Sequence, residues 1–169
     1  MARPRAHPVP GRRPPGALLL ARLAARTAPA GARTITDGPR TGTVAELAAR
    51  KRSLLVTFRR SGAPVATPVW AAQGDGRFYV RSERTAGKIK RLGNDSRVLI
   101  APCTTRGKPL GAPLEARAGV VAADREPVAE RALSSRYGLG RTLFEWTFDR
   151  LRIDMCYLEI TPGAWGEGR

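Results

Sequence analysis

The densest chemistry in the chain lies in Arg81-Ser82-Glu83-Arg84-Thr85-Ala86-Gly87-Lys88-Ile89-Lys90-Arg91. A strand is predicted to end here, hydroxyls follow at Ser82 and Thr85, and a helix is predicted to begin at a glycine. The free N–H groups of a helix start point outward and carry partial positive charge, so a phosphate is held there readily. Gly87 lets an anion approach the backbone, and Lys88, Lys90, Arg91 and Arg81 would neutralise it. The same bases suit a solvated helix face equally well. Residue type alone leaves both readings open.

Composition excludes several other chemistries. The 169 residues include one histidine, His7, and two cysteines, Cys103 and Cys156. A Ser-His-Asp or Cys-His mechanism therefore has no base in the folded part. A zinc site of His and Cys ligands lacks its donors, and no metal site is expected. Two cysteines are too few for a disulfide scaffold. Cys103 stands in an apolar strand and reads as a buried small hydrophobe. No apolar run is long enough for a membrane-spanning helix.

The net charge of +16 is unevenly spread. Residues 1 to 40 hold eight Arg, one acid (Asp37) and seven of the fourteen prolines. Pro4, Pro8, Pro10, Pro14 and Pro15 forbid a helix, and the apolar run Gly16 to Ala21 is too short for a secretory signal. Residues 1 to 42 are thus read as a disordered Pro- and Arg-rich extension that the fold can lose. A weak export signal and a true start at Val44 are the other readings of it. Residues 43 to 169 form one domain of a cytoplasmic protein on this reading.

The domain opens on a short helix, Val44 to Ala48, with Thr43 as its N-cap. Period-two alternation then predicts strands over Ser53 to Arg59, Pro64 to Ala72 and Arg77 to Ser82, joined as an antiparallel meander. Pro68 points to an edge or bulge in the second, and Gln73-Gly74-Asp75-Gly76 is a hairpin signal. A helix over Ala86 to Gly93 leads to a buried strand, Arg97 to Cys103. A polar loop and a strand over Pro113 to Ala122 follow. Asp124 is expected to cap a helix that Gly138 ends. A second helix is predicted over Thr142 to Leu151, bearing Trp146, and a last strand over Ile153 to Thr161. The fold class is mainly β: six or so antiparallel strands with a few helices, in a closed or half-closed barrel that hides its sheet edges.

The order of these pieces resembles a known family. Pro64-Val65-Ala66-Thr67-Pro68-Val69-Trp70, a Gly-Asp-Gly turn, Arg81-Ser82-Glu83 to Gly87-Lys88-Ile89-Lys90-Arg91, then Arg97 to Cys103, Gly107-Lys108-Pro109 and Tyr157 to Pro162 look like the split β-barrel, FMN-binding-like oxidoreductases related to pyridoxamine 5'-phosphate oxidase. Within that class they are most similar to the coenzyme F420-dependent branch, over roughly residues 44 to 163. The resemblance implies a homodimer with the cofactor at the subunit interface. It also implies that Ala66, Thr67, Pro68, Val69 and Trp70 lie along the cofactor ring. Ser82, Thr85, Gly87 and Lys88 would match phosphate-binding positions, with Lys90 and Arg91 facing phosphate or the acidic tail, and Ala101, Pro102 and Cys103 would close the ring pocket. Ala86 stands where relatives often carry Ser or Arg, which removes one phosphate donor.

Hydride chemistry would belong to the cofactor, which suits a chain without a His base. Coenzyme F420 is the expected cofactor on the ground of the resemblance, with FMN as the alternative. Trp70 reads also as a core or interface aromatic. The sequence singles out no catalytic residue; Tyr79 and Tyr137 could donate a proton, but nothing in the sequence places either over the ring. The competing class is a non-catalytic cofactor- or nucleic-acid-binding basic protein. With aromatics at 6% and no basic-aromatic interleaving, a nucleic-acid partner is not expected.

Overall fold

The computed structural model describes residues 35–138 and 154–166. Within them the order is α1 (Val44–Ala49), β1 (Ser53–Phe58), β2 (Pro64–Val69), β3 (Ala71–Gly74), β4 (Arg77–Glu83), α2 (Gly87–Leu92), β5 (Arg97–Pro102), β6 (Leu114–Val120), a 3-10 turn (Ala123–Arg125), α3 (Glu126–Tyr137) and β7 (Met155–Pro162). The helix predicted over Thr142 to Leu151 lies outside the described residues, as does the extension up to residue 34.

Local chemistry accounts for the boundaries. The Thr43 hydroxyl accepts from the Glu46 N–H while the Glu46 carboxylate accepts from the Thr43 N–H, a reciprocal cap on α1. Asp75 (φ 54°) and Gly76 (φ 71°) supply the two left-handed residues that a tight β3–β4 hairpin needs. Gly138 (φ 50°) ends α3 as expected. Asp124 does not cap that helix: it sits inside the 3-10 turn, and the N-cap position is Arg125, with no side-chain cap.

The seven strands form one antiparallel sheet in the order β2-β1-β5-β6-β7-β4-β3. Its two edge strands, β2 and β3, are separated in sequence by Trp70 alone. Consecutive Cα atoms are about 3.8 Å apart, so a one-residue link can join opposite edges only if the sheet curls until they meet. Trp70 is therefore the seam of a barrel. The predicted single strand from Pro64 to Ala72 is in fact two, and the predicted meander is broken there: β1–β2 and β3–β4 are separate hairpins at opposite edges. Pro68 lies on an edge strand, where its missing N–H costs no ladder bond.

Three apolar clusters follow from this curl. The barrel interior is filled by Leu55, Val69, Phe78, Val80, Val98, Ile100, Leu158 and Ile160, with Leu47 of α1 and Leu92 of α2 joining it. On the outer face of β1, β2 and β5, Leu54, Val56, Ala66, Leu99, Ala101 and Cys103 pack with Ile35. Against β3 and β4, α3 buries Ala129 and Leu133 on Ala72 and Tyr79.

Residues 35 to 42, assigned to the extension by composition, touch the domain. Ile35 is 1% exposed, Arg40 pairs with Glu115, and the Gly42 N–H donates to the Pro113 carbonyl at 3.0 Å.

The loop after β5 turns at Gly107 (φ 80°), where a Cβ would stand 2.9 Å from Cγ of Pro68. Gly107→Ala should thus cost about 1–3 kcal/mol through backbone strain and collision. The fall would be read from the denaturation midpoint at unchanged slope.

Candidate cofactor site

Two groups of expected site residues lie at adjoining parts of the barrel. The first is the start of α2. Gly87 leaves room for the Arg91 guanidinium, which a Cβ there would approach to 3.0 Å. Arg91 reaches on to β1, where its Nε donates to the Thr57 hydroxyl oxygen at 2.7 Å. Burial, then Arg59, push the Arg91 guanidinium below its ordinary value. Burial, then Arg91, push the Lys88 ammonium down as well, with Cys156 and Glu83 pulling it back less strongly. Among the described residues neither Lys88 nor Arg91 has a carboxylate ion pair. Both side chains are half-buried, and the Arg91 charge adds to the cost of charging Lys88.

The other expected phosphate residues differ. Ser82 is 3% exposed, and its hydroxyl donates to the Glu83 carbonyl. The Thr85 hydroxyl is bonded to the Glu83 carboxylate. Lys90 is exposed. Ala86 occupies the helix N-cap without a side-chain bond, which is where the departure from the family pattern falls.

The second group flanks β1. Pairing aligns Pro68, Leu54 and Ala101 in one row and Ala66, Val56 and Leu99 in the next. Ala66, Ala101 and Cys103 share the outer-face cluster, with Pro68 in the Leu54 row. Val69 alternates into the interior, and by the same alternation Thr67 and Pro102 lie on that side. One ring cannot touch all of these side chains; on the outer face Ala66, Ala101 and Cys103 are buried with Ile35, and Pro68 is the one left partly exposed. The row beyond Ala66 is Val65, Thr57 and Val98; it alternates to the interior side, so Arg91 on Thr57 lies at the same end of β2 but on the opposite face of the sheet. Burial pushes the Cys103 thiol up to about 11, which keeps it neutral and consistent with a packing role.

Comparison with solved structures returns several of this architecture. A conserved hypothetical protein from Mycobacterium tuberculosis is 19% identical, with a TM-score of 0.54 over 73% of this chain and 82% of that one. A FAD-binding protein from Mesorhizobium loti is 15% identical, with a TM-score of 0.51 over 71% and 84%. A heme-binding protein from Mycobacterium smegmatis is 18% identical, with a TM-score of 0.52 over 73% and 52%. The fold is the split β-barrel. No family model and no curated protein matches the sequence.

At the seam of this split barrel, Trp70 stacks on Tyr137 (centroids 5.4 Å apart, 21° between planes), with the Arg52 guanidinium 5.2 Å from the Trp70 centroid. Trp70 is thus an aromatic of the seam, held by α3. The Tyr137 hydroxyl is engaged by the Lys51 and Ala71 carbonyls at 2.7 and 2.8 Å. Tyr79 is fully buried beside Arg125. Both hydroxyls are thus engaged within the fold. Trp146 lies outside the described residues.

Sequence reasoning missed Trp165 and Glu115. Trp165 packs on the outer-face cluster beside Phe58, and Glu115 bonds both Arg40 and the Trp165 N–H. The available signal was an aromatic isolated among glycines after the last strand.

Proposed function

We propose that this split barrel is an oxidoreductase that binds coenzyme F420, with FMN as the alternative, and transfers a hydride between it and a small organic substrate. The observation that carries the reading is the Lys88–Arg91 pair. Both are half-buried, with Arg91 anchored on Thr57; partly desolvated like charges disfavour one another, and a bound phosphate would offset that through charge-assisted hydrogen bonds. The sequence resemblance names the cofactor class, and the fold is compatible with it.

When bound, the deazaflavin or flavin supplies the hydride chemistry itself. Lys88 and Arg91 would hold the phosphate, with Thr57 fixing the Arg91 head. As an edge strand, β2 carries backbone N–H and C=O groups that β1 does not use, and these suit the polar rim of a planar heterocycle. Pro68, half-exposed, would meet its apolar face; Ala66, Ala101 and Cys103 are covered by the Ile35 cluster and would support that face from beneath. A second copy of the chain would complete the cleft, and sedimentation of the cofactor-loaded protein as a monomer would defeat that part of the reading.

The deciding experiment is incubation with each cofactor followed by gel filtration and an absorption spectrum. Retention of the deazaflavin band is expected. Retention of the flavin band alone would select FMN. Loss of both would defeat the redox reading and leave a basic binding protein.

A further inference from the structure

The β1–β2 hairpin turns through Arg59, Arg60, Ser61, Gly62 and Ala63, with Gly62 at φ 78°. The turn closes on itself: the Gly62 N–H donates to the Arg59 carbonyl at 2.8 Å and the Arg59 N–H to the Ala63 carbonyl at 2.9 Å. Facing it is the segment that leaves α2. Between them lies an open cleft of about 510 Å³, lined by Arg59, Arg60, Gly62, Asn94, Asp95 and Arg97. That volume lies in the range of small-molecule sites, and none of these residues belongs to the cofactor site described above.

The three guanidinium groups are held differently. Arg60 Nε donates to the Asn94 side-chain oxygen at 3.0 Å, and the Asn94 side-chain nitrogen donates to the Lys90 carbonyl at 2.8 Å. Asn94 thus fixes the Arg60 head from one side. The two terminal nitrogens of Arg60, the fork that bridges an oxyanion, stay unbonded among the described residues. Arg97 is gripped by both Asp95 oxygens, which commits the one carboxylate of the lining. The Arg59 side chain has no partner among the described residues, yet its charge reaches Arg91. The cleft therefore keeps a net positive charge. Its floor offers no bare acceptor to repel an anion: the Arg91 carbonyl at the end of α2 is taken by the Asn94 and Asp95 N–H groups at 3.0 and 2.9 Å. No lining side chain is aromatic, so a nucleic-acid base has nothing to stack on.

We propose that this cleft is a second anion site, in which the Arg60 fork, oriented by Asn94, takes one oxyanion group of a small molecule bearing two or more carboxylate or phosphate groups, while Arg59 and Arg97 meet another. Arg59, Arg60 and Arg97 are exposed. One exposed ion pair is worth little, so the cleft selects a ligand that engages several of them at once. The site is separate from the Lys88–Arg91 pair and does not rest on the cofactor reading.

The test uses the full chain without cofactor, at about 0.15 M salt to screen loose charge contacts. The backbone amide resonances of Gly62 and Asn94 report the cleft itself, whatever binds elsewhere on this basic chain. Citrate and pyrophosphate should shift them saturably, and inorganic phosphate roughly tenfold more weakly. Arg60→Lys keeps the charge but loses the fork, and should weaken both ligands roughly tenfold. Asn94→Ala removes no charge and should weaken them too, by freeing the Arg60 head. Arg131→Lys, on α3, should change nothing. Equal affinity of Arg60→Lys and wild type would overturn the fork. Shifts that do not saturate, or that vanish at this salt, would make the cleft a solvated face and overturn the site. A single-stranded oligonucleotide that shifts the same amides at lower concentration than either small ligand would overturn the small-molecule assignment. If Asn94→Ala also disturbs the amides of β1 and β5, Arg59→Ala, which breaks no side-chain bond, takes its place, and unchanged affinity in that variant would overturn the site.

Discussion

Lys88→Ala is expected to weaken coenzyme F420 binding by roughly ten- to a hundred-fold, the worth of one charge-assisted contact to a phosphate. The same substitution should raise the stability of the cofactor-free protein. Lys88 is desolvated beside Arg91, and both effects lower its proton affinity in the fold below the ordinary value of 10.5. The sign follows from linkage. Between the depressed folded value and the ordinary one, the unfolded chain binds more protons at Lys88, so wild-type stability rises with pH there. Below the depressed folded value both states are charged and the full penalty is present. Lys88→Ala removes the penalty and flattens that alkaline rise. Lys51→Ala, away from the pair, should leave both affinity and pH profile unchanged. Fluorescence titration of the cofactor, with urea melts across the alkaline range, decides between a phosphate cradle and a solvated face. Equal affinity in all three proteins would remove the cradle.

The parts of the fold that rest on neighbouring residues were readable in advance. Thr43 could be seen as a cap, Asp75-Gly76 as a tight turn, and the alternation of β1 and β4 as strands, because each depends on a few positions along the chain. The break at Trp70 was not readable. Pro64 to Ala72 alternates without interruption, and only barrel closure, which brings sheet edges from opposite hairpins together, splits it. Asp124 carried the right residue type for a cap, but a 3-10 turn took the position. For the site, Lys88 and Arg91 were legible as basic residues after a strand, and Gly87 as the start of a helix. That Arg91 would turn toward Thr57, while Ser82 and Thr85 bond to Glu83, depends on side-chain directions that spacing does not encode. Glu115 and Trp165, 50 residues apart, meet only because β6 pairs with β7.

Ile35 is expected to be the most costly single residue to lose from the segment ahead of α1. Composition averaged over residues 1 to 42 hides it, since one buried isoleucine among prolines and arginines barely alters the mean. In the fold it is 1% exposed and packs with Leu54, Val56, Ala66, Leu99 and Ala101, on the face where the ring would lie. Ile35→Ala would leave a cavity among side chains fixed by strand pairing, which cannot easily close over it, so the cost should be about 2–5 kcal/mol. A chain beginning at Val44 would lose this contact, the Arg40–Glu115 pair and the Gly42 hydrogen bond together, and should fall by at least as much. A chain beginning at Thr34 keeps all three and should match the full-length protein. Urea melts of these four proteins separate the cases. If the chain starting at Val44 were as stable as the full length, the domain would begin at α1 and the outer-face cluster would close without Ile35. If both truncations were equally weakened, residues ahead of Thr34 would belong to the fold as well.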